Sequence, residues 1–162
     1  MSYRIGQGID FHKLVEGREF WLGGILIPHT KGALGHSDAD VLLHAICDAM
    51  LGALSLGDIG QHFPDTDNAF KGIDSKILLE KTYRLVTEKE YFLVNIDATI
   101  LLQAPKIRPH VDAMRNAIAG ILNISAEDVS IKATTTEQLS FIGREEGIVA
   151  TANVLLRRKE VK

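Results

Sequence analysis

Three residues of the sequence could together bind a metal ion. Asp10 and His12 stand two positions apart in the segment Gln7-Gly-Ile-Asp-Phe-His12, and His44 ends the segment His36-Ser-Asp-Ala-Asp-Val-Leu-Leu-His44. Residues two apart on a strand leave the same face, roughly 7 Å from each other. One carboxylate and two imidazoles suit zinc and leave the fourth tetrahedral position for water or substrate. A D-x-H pair alone is a weak signal, so polar residues without a metal stay the alternative.

A helix is expected to carry His44. Ser37 and Asp38 are residue types that cap helix N-termini, and the sequence up to about residue 54 has no proline and one glycine. At about 100° per residue, one face of this helix is apolar and the opposite face carries Asp40, His44 and Asp48. Asp48 lies one turn beyond His44, where it could orient a ligand histidine.

Composition limits the classes of protein. The chain has 162 residues, 46% of them apolar, which fits one domain over residues 1–162. A net charge of −3 gives no basic surface for nucleic acid, and no apolar run approaches the roughly 18 residues that span a membrane. We find no targeting segment and expect a cytoplasmic bacterial protein or a mature organellar form. The single cysteine, Cys47, allows no disulfide within the chain and is expected in the core.

The hydrophobic pattern predicts an α+β domain, in which three helices cover one face of a mixed β-sheet. We expect strands over 3–12, 91–103, 129–133 and 148–156, a Gly-Gly hairpin over 19–28, and helices over 38–54, 74–89 and 109–122. We expect loops over 31–35, 56–68 and 134–144. Because the helices cover one face, we expect neighbouring subunits to cover the other, which makes an oligomer.

Two of these elements have a predicted apolar face. Alternation in the strand over 91–103 places five residues together: Val94, Ile96, Ala98, Ile100 and Leu102. The helix over 74–89 has a mostly apolar stripe: Ile77, Leu78, Lys81, Leu85 and Val86.

Further polar clusters could hold a phosphate-bearing ligand. Lys106 and Arg108 offer cations, and the three threonines of 134–136 offer hydroxyl and N–H groups. Glu137 could hold a Mg²⁺ ion that substrate phosphates also coordinate. Hydroxyl caps in a turn and a solvated charged surface are the alternatives. Neither a Walker A loop nor a G-x-G-x-x-G fingerprint is present.

Seven motifs then stand in order over nearly the whole chain. They are Asp10-Phe-His12, Gly35-His-Ser-Asp-x-Asp-x-x-x-His44, Leu56-Gly-Asp-Ile-Gly60, Phe63-Pro-Asp-Thr-Asp67, Gln103-Ala-Pro-Lys106, Lys132-Ala-Thr-Thr-Thr-Glu137 and Gly143-Arg-x-Glu-Gly147. In this order they resemble the 2-C-methyl-D-erythritol 2,4-cyclodiphosphate synthase family of the non-mevalonate isoprenoid pathway.

The resemblance implies a fold, an assembly and a reaction. The fold would be chorismate-mutase-like, in a homotrimer with active sites between adjacent subunits. The substrate would be 4-diphosphocytidyl-2-C-methyl-D-erythritol 2-phosphate. Its 2-phosphate would attack the β-phosphorus of the same molecule and give the cyclic diphosphate and CMP, so the enzyme would be a metal-dependent phosphorus-oxygen lyase.

The resemblance also implies roles for individual residues. Asp10, His12 and His44 match the zinc ligands, and Glu137 matches the ligand of a Mg²⁺ or Mn²⁺ ion that bridges the diphosphate. His36 and Thr135 match transition-state stabilisers. The matching substrate-binding residues are Ser37, Asp58, Ile59, Gly60, Phe63, Pro64, Asp65, Thr66, Asp67, Leu102, Gln103, Ala104, Pro105, Lys106, Ile107, Arg108, Thr134, Thr136, Phe141 and Arg144.

Two other functions remain open from the sequence. A zinc hydrolase could use the same three ligands to activate water, with Asp58 or Asp65 as the base, and would give a linear diphosphate. A non-catalytic trimer could bind a nucleotide or an isoprenoid. The sequence also leaves open whether an isoprenoid diphosphate binds along the trimer axis.

Overall fold

The computed structural model describes residues 2–64, 66, 70 and 72–160. Its elements are β1 (Tyr3–Glu16), β2 (Phe20–Leu22), β3 (Ile25–Ile27), β4 (Lys31–Leu34), α1 (Val41–Ala53), α2 (Ile59–His62), α3 (Ser75–Glu88), β5 (Tyr91–Leu101), α4 (Val111–Leu122), β6 (Val129–Thr134), α5 (Ser140–Gly143) and β7 (Gly147–Arg158). Short 3₁₀ turns at Arg108–His110 and Ala126–Asp128 precede α4 and β6. Among these described residues, none of the helices combines the length and the apolar character that a membrane span needs.

Five strands form a mixed sheet in the order β4-β1-β7-β5-β6. The pair β5 and β6 is parallel, and the other three pairs are antiparallel. The predicted mixed sheet is therefore confirmed, and β2 and β3 form the predicted hairpin. The loop expected over 31–35 is wrong, because β1 extends to Glu16 and its last four residues pair with Lys31–Leu34.

The long helices cover one face of the sheet. Helix α1 packs against β1 and β7, α3 packs on α1 and β5, and α4 packs on β6. On the opposite face, which we call the open face, Ile5, Ile9, Phe11 and Phe92 are exposed. The helix-covered side holds most of the core, whereas the open face presents large apolar side chains to the outside.

Two glycines of β1 let α1 approach the sheet closely. A Cβ atom built on Gly6 or Gly8 would overlap the backbone carbonyl oxygen of Ala49 or Ala45, respectively. The backbone of α1 therefore rests directly on the backbone of β1, which is possible only where the strand lacks side chains. This contact fixes the height of α1 above the strand that carries Asp10 and His12.

A β-bulge changes the buried face of β5. Pairing with β7 shifts register between Leu93 and Asn95, so Val94 is an extra residue. Tyr91 and Leu93 are buried before the bulge, and Ile96 leads the buried series after it. The prediction that Val94 shares the buried face is wrong, since a bulge moves the alternation by one residue.

The buried stripe of α3 also differs from the prediction. Leu78 and Val86 are buried as expected, but Ile77 is exposed, and Leu79 and Thr82 are buried instead. The stripe begins at Ser75, which is fully buried at the first turn. Ser75 makes polar contacts with Asp38 and His44, which are described below.

Candidate active site

Asp10, His12 and His44 meet where β1 passes under the first turns of α1. Oδ2 of Asp10 lies 3.0 Å from Nε2 of His12 and 3.0 Å from Nδ1 of His44. The two imidazole nitrogens are 3.4 Å apart. Around a tetrahedral zinc with bonds of about 2.0 to 2.1 Å, neighbouring donors stand about 3.3 to 3.4 Å apart. The three separations lie within about 0.4 Å of this spacing, and the three residues could together hold a metal ion.

The surroundings of Asp10 and His12 favour opposite charges. Burial alone would raise the pKa of the Asp10 carboxyl, but the hydrogen bonds and charges of the two histidines outweigh it and hold that pKa far below its usual range. Burial alone would lower the pKa of His12, but the hydrogen bond and charge of Asp10 outweigh burial and raise it. Asp10 is thus an ionised ligand whose negative charge attracts either a proton or a cation at the cluster.

Each histidine has a further partner on its second ring nitrogen. Nδ1 of His12 lies 2.9 Å from the carbonyl oxygen of Leu34, the last residue of β4. Nε2 of His44 lies 2.8 Å from the hydroxyl of Ser75 and 3.3 Å from that of Ser37. Both nitrogens of His44 are occupied, so the expectation that Asp48 orients this ring is wrong.

Asp48 instead holds the segment that the sequence matched to substrate binding. Its Oδ1 accepts a hydrogen bond from the backbone N–H of Ile59 at 2.7 Å. Asp58 caps the same short helix, α2, and accepts from the N–H of Gln61 at 2.9 Å. The segment 58–60, expected in a loop, is therefore the start of a helix tied to α1.

The N-terminal cap of α1 is Asp40, two to three residues later than predicted. Its Oδ1 accepts from the N–H of Leu43 and from that of Gly23, and its Oδ2 accepts from Gly24. Asp40 is fully buried, and burial raises the pKa of its carboxyl. Rather than lying beside His44 on a polar face, Asp40 fastens the β2–β3 hairpin onto the helix. The predicted cap Asp38 contacts Ser75 instead.

A cavity of about 450 Å³ opens beside the histidines. Sequence reasoning had singled out seven of its lining residues, and the structure brings them together: His12, His36, Ser37, His44, Ile59, Gly60 and Phe63. His36 is exposed, and Ser37 is almost fully buried. The cavity can therefore accept a ligand that reaches His12 and His44.

Sequence reasoning missed Arg18, which hydrogen-bonds to two of the residues that line this cavity. Its Nη2 donates hydrogen bonds to the carbonyl oxygens of Gly35 and Ser37, each at 3.0 Å. These bonds hold the turn that presents His36. No motif contains Arg18, and only its long-range contacts identify it.

A second polar group lies elsewhere in the chain. The hydroxyl of Thr135 donates to Oε1 of Glu137 at 2.9 Å, and the N–H of Gln138 donates to Oε1 of Gln103 at 3.3 Å. Thr134, Thr135, Lys106 and Arg108 are exposed. Leu102 and Ile107 are buried core residues, which leaves their backbone groups for contact with a ligand.

The strand register separates the two groups. Asp10 pairs with Ala150, Ala150 with Ile100, and Ile100 with Ala133 of β6. These are three strand spacings, or about 14 Å, between Asp10 and Ala133 just before the threonines. Within one chain, the structure does not bring Thr135 and Glu137 to the metal cluster.

The remaining matched residues lie at other places. Phe141 packs on Gly147 and lines a cavity of about 570 Å³ with Phe11 and His12, while Arg144 pairs with Glu146 at 2.9 Å. Pro64, Ala104 and Pro105 are half-buried, and Thr66 is exposed. The hydroxyl of Thr136 donates a hydrogen bond to the carbonyl oxygen of Leu139. Asp65 and Asp67 lie outside the described residues.

The chain is similar to known proteins over almost its whole length. A model of the YgbB family matches residues 3–157. A 2-C-methyl-D-erythritol 2,4-cyclodiphosphate synthase of Bacteroides fragilis is 59% identical over 158 residues, covering 98% of this chain and 99% of that protein. The synthase of Bacillus mycoides is 57% identical over 157 residues, covering 97% of this chain and 99% of its own length.

Solved structures share the fold over nearly the full chain. The bifunctional IspDF of Campylobacter jejuni superposes with a TM-score of 0.95 at 42% identity, covering 98% of this chain and 43% of that one. A CDP complex of IspF from Plasmodium falciparum gives a TM-score of 0.86 at 36% identity and covers 98% of both chains. The chain therefore belongs to the YgbB family, the family of the 2-C-methyl-D-erythritol 2,4-cyclodiphosphate synthases.

Proposed function

We propose that the chain carries out the synthase reaction at the cavity beside Asp10, His12 and His44. The reaction converts 4-diphosphocytidyl-2-C-methyl-D-erythritol 2-phosphate into 2-C-methyl-D-erythritol 2,4-cyclodiphosphate and CMP, and supplies isoprenoid precursors. The observation that carries the proposal is the three-ligand cluster at the cavity, in a chain that is 59% identical to a named synthase.

The reaction requires the protein to align two phosphates and to neutralise charge more than it requires a general base. An oxygen of the 2-phosphate forms the new bond to the β-phosphorus, and the bond from that phosphorus to the bridging oxygen of CMP breaks, leaving its electron pair on CMP. A phosphate monoester is already ionised near pH 7, so no side chain has to remove a proton first. The protein instead holds both phosphates of one molecule in line and stabilises charge at the phosphorus under attack.

We assign the metal site to the cluster described above. Asp10, His12 and His44 would hold zinc, which would supply Lewis-acid stabilisation of charge on a substrate phosphate. His36 and Ser37 face the same cavity, where His36 stabilises the transition state and Ser37 contacts the 2-phosphate. Asp58, Ile59 and Gly60 hold the erythritol hydroxyls.

The other half of the site comes from the second polar group. Glu137 would hold a Mg²⁺ or Mn²⁺ ion, which would neutralise charge on the diphosphate, and Thr135 stabilises the transition state. The segment 102–108, with Thr134 and Thr136, binds the cytidine and its phosphates. Phe63 to Asp67 form a further substrate-binding segment, and Phe141 and Arg144 lie near the subunit boundary.

The separation of the two halves supports a trimer with sites between subunits. About 14 Å of sheet lies between Asp10 and the start of the threonine segment, which is too far for one pair of adjacent phosphates to bridge. The exposed apolar side chains of the open face are available for contact with neighbouring copies. We therefore propose a chorismate-mutase-like homotrimer. A single domain over 1–162, a cytoplasmic location and an isoprenoid diphosphate on the trimer axis stay predictions.

A ³¹P NMR time course tests the reaction. The purified protein receives the diphosphocytidyl 2-phosphate substrate, Mg²⁺ and limiting Zn²⁺, beside a His44→Ala variant. We expect the cyclic diphosphate and CMP from the wild-type protein alone. CMP with a linear diphosphate would instead indicate the zinc hydrolase, and no turnover by a zinc-loaded protein would indicate a binding protein.

Mixed trimers test the shared site. His44→Ala and Glu137→Ala subunits are each expected to be inactive alone. When they are co-expressed with different tags and the trimers that carry both tags are purified, about one interface in three combines an intact His44 with an intact Glu137, so activity should return toward a third of the wild-type value. No recovery in trimers shown to contain both variants would place the whole site within one subunit.

A further inference from the structure

Ser75 and Asp38 form a polar pair behind the His44 ring. The hydroxyl of Ser75 lies 2.8 Å from Nε2 of His44, on the side of the ring away from Asp10. Ser75 is fully buried at the first residue of α3. Asp38 accepts its backbone N–H at 2.9 Å through Oδ2, and Oδ1 of Asp38 accepts its hydroxyl in a very short hydrogen bond.

The direction of these hydrogen bonds follows from what each group can donate. A carboxylate only accepts, so the single proton of the Ser75 hydroxyl goes to Asp38. The serine oxygen can then only accept from His44, so a ring proton sits on Nε2. Without a metal, Nδ1 can carry a second proton toward Asp10. When a metal ion replaces that proton, Nδ1 offers its lone pair, and it is Nδ1 that faces Asp10 and His12 at 3.0 and 3.4 Å.

A single backbone acceptor fixes the His12 ring in a similar way. Its Nδ1 donates to the carbonyl oxygen of Leu34, so Nε2 is the nitrogen whose lone pair a metal can take once it replaces the proton shared with Asp10. The two histidines thus use opposite ring nitrogens for the metal. Each is fixed by an acceptor on the far side.

We propose that Asp38 and Ser75 are positioning residues that fix the His44 ring and its protonated nitrogen for metal binding. The inference rests on the metal site proposed above. It assigns to the start of α3 a role in the site that none of the motif matches gave it.

The neighbouring hydroxyl of Ser37 determines what should happen to His44 when Ser75 is removed. Ser37 lies 3.3 Å from the same nitrogen and accepts from the N–H of Ala39 at 3.0 Å, but no carboxylate takes its proton. Without Ser75, the hydroxyl of Ser37 is free to donate to Nε2, which favours the tautomer with the proton on Nδ1. In that tautomer the lone pair is on Nε2, which faces away from the cluster, and Nδ1 has none to offer a metal.

The test compares Ser75→Ala and Asp38→Asn with a Thr82→Val control. Thr82 is a fully buried residue of the same helix, and its near-isosteric replacement removes a hydroxyl that does not contact His44. Zinc affinity is measured by competition with a chromophoric chelator. The Nε2 proton of His44 is observed by ¹H–¹⁵N NMR of zinc-loaded, histidine-labelled protein, and circular dichroism confirms folding.

Loss of a partner that orients a metal-binding histidine typically weakens metal affinity by about 10 to 100-fold, and we expect this range for Ser75→Ala. Asp38→Asn should weaken affinity in the same direction, because an amide can donate to the serine oxygen and release its proton toward His44. In both variants the Nε2 proton should exchange faster with water. Thr82→Val should retain the affinity and the exchange rate of the wild-type protein.

Wild-type affinity and exchange in folded Ser75→Ala would overturn the inference. So would equal losses in Ser75→Ala and Thr82→Val, which would indicate a general structural effect. If Ser75→Ala does not fold, Asp38→Asn decides by the same two measurements. A wild-type protein that takes up no zinc would refute the proposed metal site itself, and this inference with it.

Discussion

Replacing Gly8 by alanine should separate the metal ligands without changing any of them. A Cβ on Gly8 would lie 2.7 Å from the backbone nitrogen of Ala49 and 2.9 Å from Cβ of Asp48, and would overlap the carbonyl of Ala45. Comfortable contacts between such atoms begin near about 3.5 Å, so α1 must rise by roughly 1 Å. No rotamer change can relieve this overlap, because two of the three atoms belong to the backbone.

The displacement carries His44 away from β1. Its Nδ1 now lies 3.0 Å from Oδ2 of Asp10, and a shift of roughly 1 Å is about five times the 0.2 Å tolerance of a metal–ligand distance. We therefore expect Gly8→Ala to lower zinc affinity by at least about 100-fold, the upper end for losing a partner that only orients a ligand. Overpacking should also cost about 1 to 3 kcal/mol of unfolding free energy.

Chelator competition and thermal unfolding, measured together, test this reasoning. Gly52→Ala is the matched control, since it lies on the exposed side of the same helix and its added Cβ would meet nothing closer than the carbonyl of Gln7 at 3.9 Å. The control should bind zinc normally and be as stable as the wild-type protein or more so. Folded Gly8→Ala with wild-type zinc affinity would show that the close approach of α1 does not set the site.

Three other predictions follow from single residues. Arg18→Ala should lower kcat/KM by about tenfold, because a hydrogen bond from a charged group contributes about 1.5 kcal/mol. Zinc affinity should stay unchanged. Equal activity of the variant and the wild-type protein would contradict the role of Arg18 in holding the turn. Burial raises the pKa of Cys47 to about 12, so at pH 8 roughly one thiol in ten thousand is ionised and iodoacetamide should label the folded protein far more slowly than the denatured protein. Rapid labelling of the native state would refute that burial. Gly120→Ala should raise the unfolding free energy by about 0.5 to 1 kcal/mol in thermal melts, because this helical position is exposed and an added Cβ meets nothing within 4 Å.

The pairing of Asp10 with His12 could be predicted from the sequence because its spacing is local, whereas the approach of His44, 34 residues from Asp10, is a tertiary contact. Asp10 and His12 need only a strand to share a face, and His44 needs only a helix to present it. The structure brings these three side chains together as expected. The sequence could not predict the distance between α1 and β1. This distance depends on Gly6 and Gly8 and is seen only in the packed structure.

The failed predictions involve contacts between distant parts of the chain. The start of α1 was placed at Ser37 or Asp38, because both are good cap residues, but Asp38 bonds to Ser75, 37 residues away. The edge strand at 31–34 was missed because its partner lies in the extended end of β1. The bulge at Val94 was missed because alternation in β5 is regular in the sequence and breaks only in pairing with β7.

The residues that hold the site share this long-range character. Arg18 fixes the turn before α1 across 17 and 19 residues, Asp48 fixes the start of α2 across 11, and Ser75 meets His44 across 31. Each bonds to the backbone or to the side chain of a residue that does chemistry, and none needs a residue type that is rare in proteins. Sequence motifs can therefore name the groups that touch a metal or a phosphate, while the groups that orient them are found only from contacts. The effect of mutating such residues should appear in metal affinity and in substrate alignment rather than in the identity of the reaction.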